Sequence, residues 1–221
     1  MQISSAVFDF LTKLEQNNNR DWYIENKNLH ESALKDVQNF VNELIERISI
    51  FDVTIRGLEA KKCFFRIQRD TRFSTDKSPY KTNFGAYMTQ GGRKSNNAGY
   101  YLHIQNDMSV IAGGVWCPEN QLLKKIRQEI YYAPDKLVNI IENKVFKSAF
   151  GGFIERDSLV KNPKHYPADF QYIKLLQYRH YCVEKSFTNA EVLSTEFLAK
   201  CIKNFRLLLP LINYLNEIIN S

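Results

Sequence analysis

At 221 residues, with 44% hydrophobic and 24% charged residues and only 9 Gly and 6 Pro, the chain has the composition of a folded domain, which excludes a fibrous repeat or a disordered polymer. No apolar run reaches the length of a membrane span, and Cys63, Cys117, Cys182 and Cys201 lie far apart and form no C-x-x-C pair, so neither a disulfide framework nor a zinc knuckle is supported, which suits a reducing cytoplasm. The formal charge of +6 is local: nine Lys or Arg meet two acids between Lys61 and Lys94, while the other 21 bases and 22 acids nearly cancel.

The opening residues MQISSAVFDFLTKLEQ lack a basic region followed by an apolar run and a small-residue cleavage site, so no secretory signal is expected. Ser4 or Ser5 can cap a first helix that runs to about residue 16. After Asn17-Asn18-Asn19, the apolar residues Leu34, Val37, Phe40, Val41, Leu44, Ile45 and Ile48 recur at three- and four-residue spacing, which predicts a long helix with one buried face. Phe51 to Glu59 reads as a connection broken at Gly57.

From Lys61 the period changes to two. Cys63, Phe65 and Ile67 alternate with Phe64, Arg66 and Gln68, which predicts a strand. Further strands are expected at Phe84 to Thr89, Gly99 to Gln105 and Met108 to Ala112, the last two joined by a tight turn at Asn106-Asp107. Gly113-Gly114 before Trp116 suggests a bulge or a strand end. Pro118 and Pro134 suit the first turns of helices over 118–132 and 134–144. Short strands are expected near Phe153 to Val160 and Arg179 to Lys185. Thr188-Asn-Ala-Glu191 fits a capping box opening a C-terminal helix that Pro210 should kink or split. The whole reads as an α+β domain, a central antiparallel sheet with N-terminal and C-terminal helices packed around it, forming a single domain over residues 1–221.

The stretch RIQRDTRFSTDKSPYKTNF, from Arg66 to Phe84, holds the candidate site. Arg66 and Gln68 should project from one strand face and Ile67 and Arg69 from the other. Asp70 and Arg72 bracket Thr71, and Ser74 to Pro79 is turn chemistry, short polar side chains bonding nearby amides. Arg66, Arg69, Arg72, Lys77 and Lys81, with Arg93 and Lys94 further on, point to one concavity that takes a small phosphate- or carboxylate-bearing ligand. Guanidinium forks grip such oxygens bidentately and lysines add mobile charge. Tyr80 joins them as the loop aromatic that faces the ligand, whereas Phe73 and Trp116 are expected to pack in the core. Single-stranded nucleic acid is the alternative partner, since aromatics among cations stack bases, and an acidic protein is a third. A purely structural reading stays open: Asp70 and Asp76 can pair with the arginines and pin a long loop.

Whether any reaction occurs is left open. Asp70, Asp76 and His103 are the candidate proton-handling groups, because a carboxylate or imidazole beside a bound anion can act as base or shuttle. His30, His103, His165 and His180 show no metal-ligand spacing, so no metal is expected, and no cofactor is assigned. Ser74-x-x-Lys77 and Gly91-Gly92-Arg93-Lys94-Ser95 resemble catalytic-serine and phosphate-loop motifs only superficially. The first lacks its separate partner elements, and the second has Arg93 and Met88 where a P-loop needs glycine.

Several stretches carry a resemblance to a known family. They are Asn18-Asn-Arg-Asp-Trp22, RDTRFSTDKSPYK from Arg69 to Lys81, GYYLHI from Gly99 leading to GGVWCP from Gly113, KNPKHY from Lys161, EKSF from Glu184, and FRLLLPLINYL from Phe205. Together these are similar to the family known as domain of unknown function 2461, over nearly the whole chain. His165 stands where that pattern leads one to expect glycine. The resemblance implies one domain and carries no activity with it.

Overall fold

A computed structural model describes residues 1–221. Helix α1 (Ser5–Gln16) buries Val7, Phe8, Phe10, Leu11 and Leu14. Helix α3 (Lys27–Ile48) buries Ala33, Val37, Phe40, Val41, Leu44, Ile45 and Ile48, the one-sided stripe its periodicity predicted. Between them the short α2 (Arg20–Glu25) begins at Asn19, whose side chain accepts the Trp22 amide hydrogen. Ser4 stands at the N-cap of α1, but its hydroxyl donates to Asp36 at 2.6 Å and makes no capping bond.

Strands β1 (Phe84–Met88), β2 (Gly99–Ile104), β3 (Ser109–Val115) and β4 (Tyr181–Phe187) form one antiparallel sheet in that order. The β2–β3 hairpin closes as expected, with Asp107 at φ 56° and the Ser109 hydroxyl donating to the Gln105 carbonyl at 2.8 Å. With helices at both ends of the chain, the fold is α+β.

The departures have local causes. Residues 63–68 do not form a strand. Phe64 bridges Ala86 and Gln68 bridges Tyr80, so four positions on one side oppose six on the other. The surplus in the facing segment, around residues 81–83, interrupts the ladder as a bulge does. Residues 153–160 are not a strand either: Ile154 and Leu159 bond the carbonyls of Cys182 and Gln177 at 3.0 and 2.9 Å, but Asp157 at φ 58° turns the chain between those bonds. Strand β3 extends to Val115 through both glycines.

The helix after Pro134 ends early. Helix α4 (Asn120–Tyr132) is followed by α5 (Pro134–Ile141), and α6 (Lys144–Phe150) starts afresh at Asn143, whose side chain caps the Val145 and Phe146 amides. The short α7 (Ile173–Gln177) precedes β4. The capping box of Thr188 and Glu191 is present, but it opens only the single turn α8 (Asn189–Val192). Helix α9 (Phe197–Ile219) is one element containing Pro210. Leu208, Leu211 and Ile212 are buried on both sides of the proline, and that burial outweighs a local cost of about 3 kcal/mol.

The chain divides into two compact units, and β2, β3, β4 and α9 contribute residues to both. The first gathers Met1–Arg93, Tyr101–Ile111 and Ser186–Lys203. In its core Phe10 meets Phe84, His30 stacks on Phe84, and Phe40 stacks on Phe197. The second gathers Lys94–Tyr100, Ala112–Lys185 and Asn204–Ser221. Here Ile126, Ile130 and Leu137 are buried, Tyr100 meets Phe205 edge-on, and Tyr131 touches Tyr166 and Phe170. No helix is long and apolar enough to cross a membrane.

Candidate functional site

The candidate site lies in the first unit, where the loop after Gln68 returns to β1. Its neck is clamped by Asn18, just ahead of α2. The Asn18 side-chain amide donates to the Tyr80 carbonyl at 2.9 Å and accepts the Tyr80 amide hydrogen at 3.1 Å, a two-bond pairing like that of a strand neighbour. The Tyr80 ring stacks on Tyr23 with centroids 4.0 Å apart, and the residue is only 7% exposed. Tyr80, expected to face a ligand from the loop, is instead a core residue. Two aromatic rings in contact remove more apolar surface from water than either would projecting alone.

Beyond the neck, the loop's own acids hold its arginines. Asp76 pairs with Arg69 and also accepts the amide and hydroxyl hydrogens of Ser78 at 2.9 and 2.6 Å. Asp70 accepts two bonds from the Arg72 guanidinium at 2.9 and 2.7 Å. The Ser78 hydroxyl and then Arg69 hold the Asp76 carboxyl far below the usual carboxylate range, and Arg72 lowers Asp70. Both acids therefore stay ionised with their acceptor capacity engaged. Lys77 donates to the Thr71 carbonyl at 2.9 Å. Upstream, Lys61 and Lys62 both pair with Glu59, at 2.7 and 2.8 Å.

Four of the nine cations between Lys61 and Lys94 are thus matched by an acid. Arg66, Lys77, Lys81, Arg93 and Lys94 have none within ion-pair distance. Of these, Lys81 alone is half-buried and the others are exposed. Its amide donates to the Ile67 carbonyl at 2.8 Å, and its ammonium lies 5.7 Å from the Phe65 ring centroid. Burial lowers the Lys81 pKa, and the nearby charges of Arg66 and Arg93 lower it further. Arg66 also acts on Asp70, adding a smaller lowering to that carboxyl. Lys81 thus feels the charges of Arg66 and Arg93, whereas Arg69 and Arg72 are each held by an acid.

Beside this cluster is a polar row on β2. Phe65, 42% exposed, meets Tyr101 edge-on at 6.3 Å. The Tyr101 hydroxyl sits above Gly85 of β1, where a Cβ would come within 2.7 Å of it. That hydroxyl lies 2.9 Å from His103 Nδ1, and His103 Nε2 lies 2.8 Å from Gln105 Oε1. Taking the Gln105 oxygen as the acceptor, Nε2 carries the ring hydrogen and Nδ1 accepts from the tyrosine hydroxyl. Burial pushes Tyr101 up to about 12, so it remains a hydroxyl donor.

Phe73 and Trp116 depart from the expectation of core packing. Phe73 is 95% exposed at the loop's far end, with the Arg72 guanidinium 5.7 Å from its ring. In the second unit, half-exposed Trp116 stacks on buried His180 at 3.9 Å. The Cys117 amide donates to His180 Nδ1 at 3.1 Å. His165 takes φ 76°, the left-handed conformation in which glycine is at ease. Sequence reasoning gave Asn18, Gly85 and Gln105 no site role. The alternation of Tyr101, His103 and Gln105 on one strand face was the signal available for the last. Asn18 acts across 62 positions, and no local pattern could have revealed that.

The family described as conserved hypothetical protein (DUF2461) matches residues 6–214, nearly the whole chain. No curated protein and no solved structure matches the chain.

Proposed function

We propose, for a chain that belongs to the DUF2461 family of conserved hypothetical proteins, that Arg66, Lys81 and Arg93 bind the phosphate or carboxylate of a small ligand. The observation that carries this reading is the state of Lys81. It is partly withdrawn from water, it is repelled by two arginines, and no acid lies within ion-pair distance. Like charges held together without a counter-ion are unfavourable, and a bound anion relieves both the repulsion and the lost hydration. Arg69 and Arg72 then serve the loop's shape and not the ligand. The Tyr101–His103–Gln105 row stands beside the cluster as a set of hydrogen-bonding groups for the remainder of the ligand.

Pyrophosphate is the probe, followed by thermal unfolding and titration calorimetry. At 100 times its dissociation constant it should stabilise the protein by about 2.7 kcal/mol. Lys81→Met keeps the stem over Phe65 and should abolish that stabilisation, while Arg72→Ala should leave it intact. Because the Lys81 pKa is lowered, affinity should fall on the alkaline side before an ordinary lysine would lose its proton. Full stabilisation in Lys81→Met would refute the assignment.

A further inference from the structure

We infer that the anion is the backbone of a single-stranded polynucleotide, whose bases stack on Phe73 and Phe65 while Arg66, Lys81 and Arg93 meet its phosphates. This rests on the reading above that Arg66, Lys81 and Arg93 take an anion, and it replaces the small ligand of that reading with a polymer.

The first observation is the exposure of Phe73. A phenylalanine left 95% exposed forgoes the burial that usually places this residue inside. The loop that carries it is also braced. The Arg69–Asp76 ion pair and the Arg69 amide bond to the Pro79 carbonyl close its base. Arg72–Asp70, Ser78–Asp76 and Lys77–Thr71 tie its interior. Ordering this many polar side chains at the surface costs entropy, and it leaves the ring presented rather than collapsed onto the body. A contact surface held ready in this way binds more tightly than one that must be ordered on contact.

The second observation is that the arrangement occurs twice. Phe73 has the Arg72 guanidinium 5.7 Å from its ring centroid, and Phe65 has the Lys81 ammonium at 5.7 Å. Both rings reach solvent, and Arg66 follows Phe65 directly in the chain. One aromatic platform beside cations would suit a mononucleotide. Two platforms eight positions apart, with the unmatched Arg66 and Lys81 beside the first of them, match a ligand that repeats a planar base and a phosphate. Duplex bases are already stacked on one another and cannot reach such rings. The two acids nearest the platforms, Asp70 and Asp76, are both held by arginines, so their repulsion of phosphates is muted. A phenyl ring has no hydrogen-bonding edge, so binding through these platforms is insensitive to sequence.

The test is fluorescence anisotropy of a labelled single-stranded oligothymidylate with the full chain, alongside the pyrophosphate titration. With three phosphate contacts, log affinity should fall by about 2 for each tenfold rise in salt. Phe73→Ala should weaken binding by about tenfold at an unchanged salt slope, and Phe73→Trp should restore it. Circular dichroism checks that the variants fold. Pyrophosphate stabilisation without oligonucleotide binding overturns this inference and leaves the anion reading standing. Failure of both probes removes both. Oligonucleotide binding indifferent to Phe73→Ala, or polyglutamate binding weakened by that variant as much as oligonucleotide binding is, also overturns the stacking claim.

Discussion

Removing the Asn18 side chain tests how the neck of the site is built. In Asn18→Ala, Tyr80 loses the partner of its carbonyl and the partner of its amide hydrogen together. Tyr80 is 7% exposed and its ring is covered by Tyr23, so water replaces those bonds poorly. A buried polar group left without a partner costs about 1–3 kcal/mol. Asn18 itself is half-buried, which favours the lower part of that range, and the two groups together give about 2–4 kcal/mol. Against a typical stability of about 5–15 kcal/mol this is a large fraction, and it lowers the melting temperature by roughly 4–16 °C in a chain of this size. Urea titration followed by circular dichroism measures it directly. Asn18→Asp keeps an acceptor for the amide but sets a second oxygen against the Tyr80 carbonyl, so it should destabilise as well. Both substitutions should also weaken pyrophosphate binding, because Lys81 follows Tyr80 and depends on it for position. A loss below about 0.5 kcal/mol in Asn18→Ala, the ordinary scatter of surface changes, would show that the clamp is dispensable.

Two further outcomes follow from the second unit and the cysteines. Gly114 in β3 has φ 121°, and a Cβ there would lie 2.1 Å from the Tyr181 carbonyl oxygen, so Gly114→Ala should cost about 4 kcal/mol or more, or prevent soluble expression; unchanged unfolding would contradict the geometry. Cys117 is exposed whereas Cys63, Cys182 and Cys201 are buried, with the Cys63 and Cys182 thiols pushed up by burial to about 12, so a thiol reagent at mild alkaline pH should modify one cysteine quickly and three only on unfolding. A second fast thiol would show that one of the buried sites opens readily.

The elements that sequence reasoning placed well are those whose cause is local. The stripe of α3 reports which side meets a core, and the Thr188–Glu191 capping box closes within four residues. Where it failed, the deciding interaction lay elsewhere in the chain. The alternation at residues 63–68 has the right period for a strand, but whether a ladder forms depends on the spacing of the facing segment, and that segment carries a surplus between Tyr80 and Ala86. The same limit shaped the site. A count of charges finds a basic stretch but cannot say which cations are already matched. Asp70 lies two positions from Arg72 and Asp76 seven from Arg69, so the pairing that disposes of both arginines was within the stretch itself. What could not be read was the position of Lys81. Its surroundings are set by Asn18, which fixes the residue before it, by the bulge that follows it, and by Arg93 twelve positions later. The two arginines that most resembled ligand-binding groups hold the loop, and the lysine at its foot is left without an acid to match it.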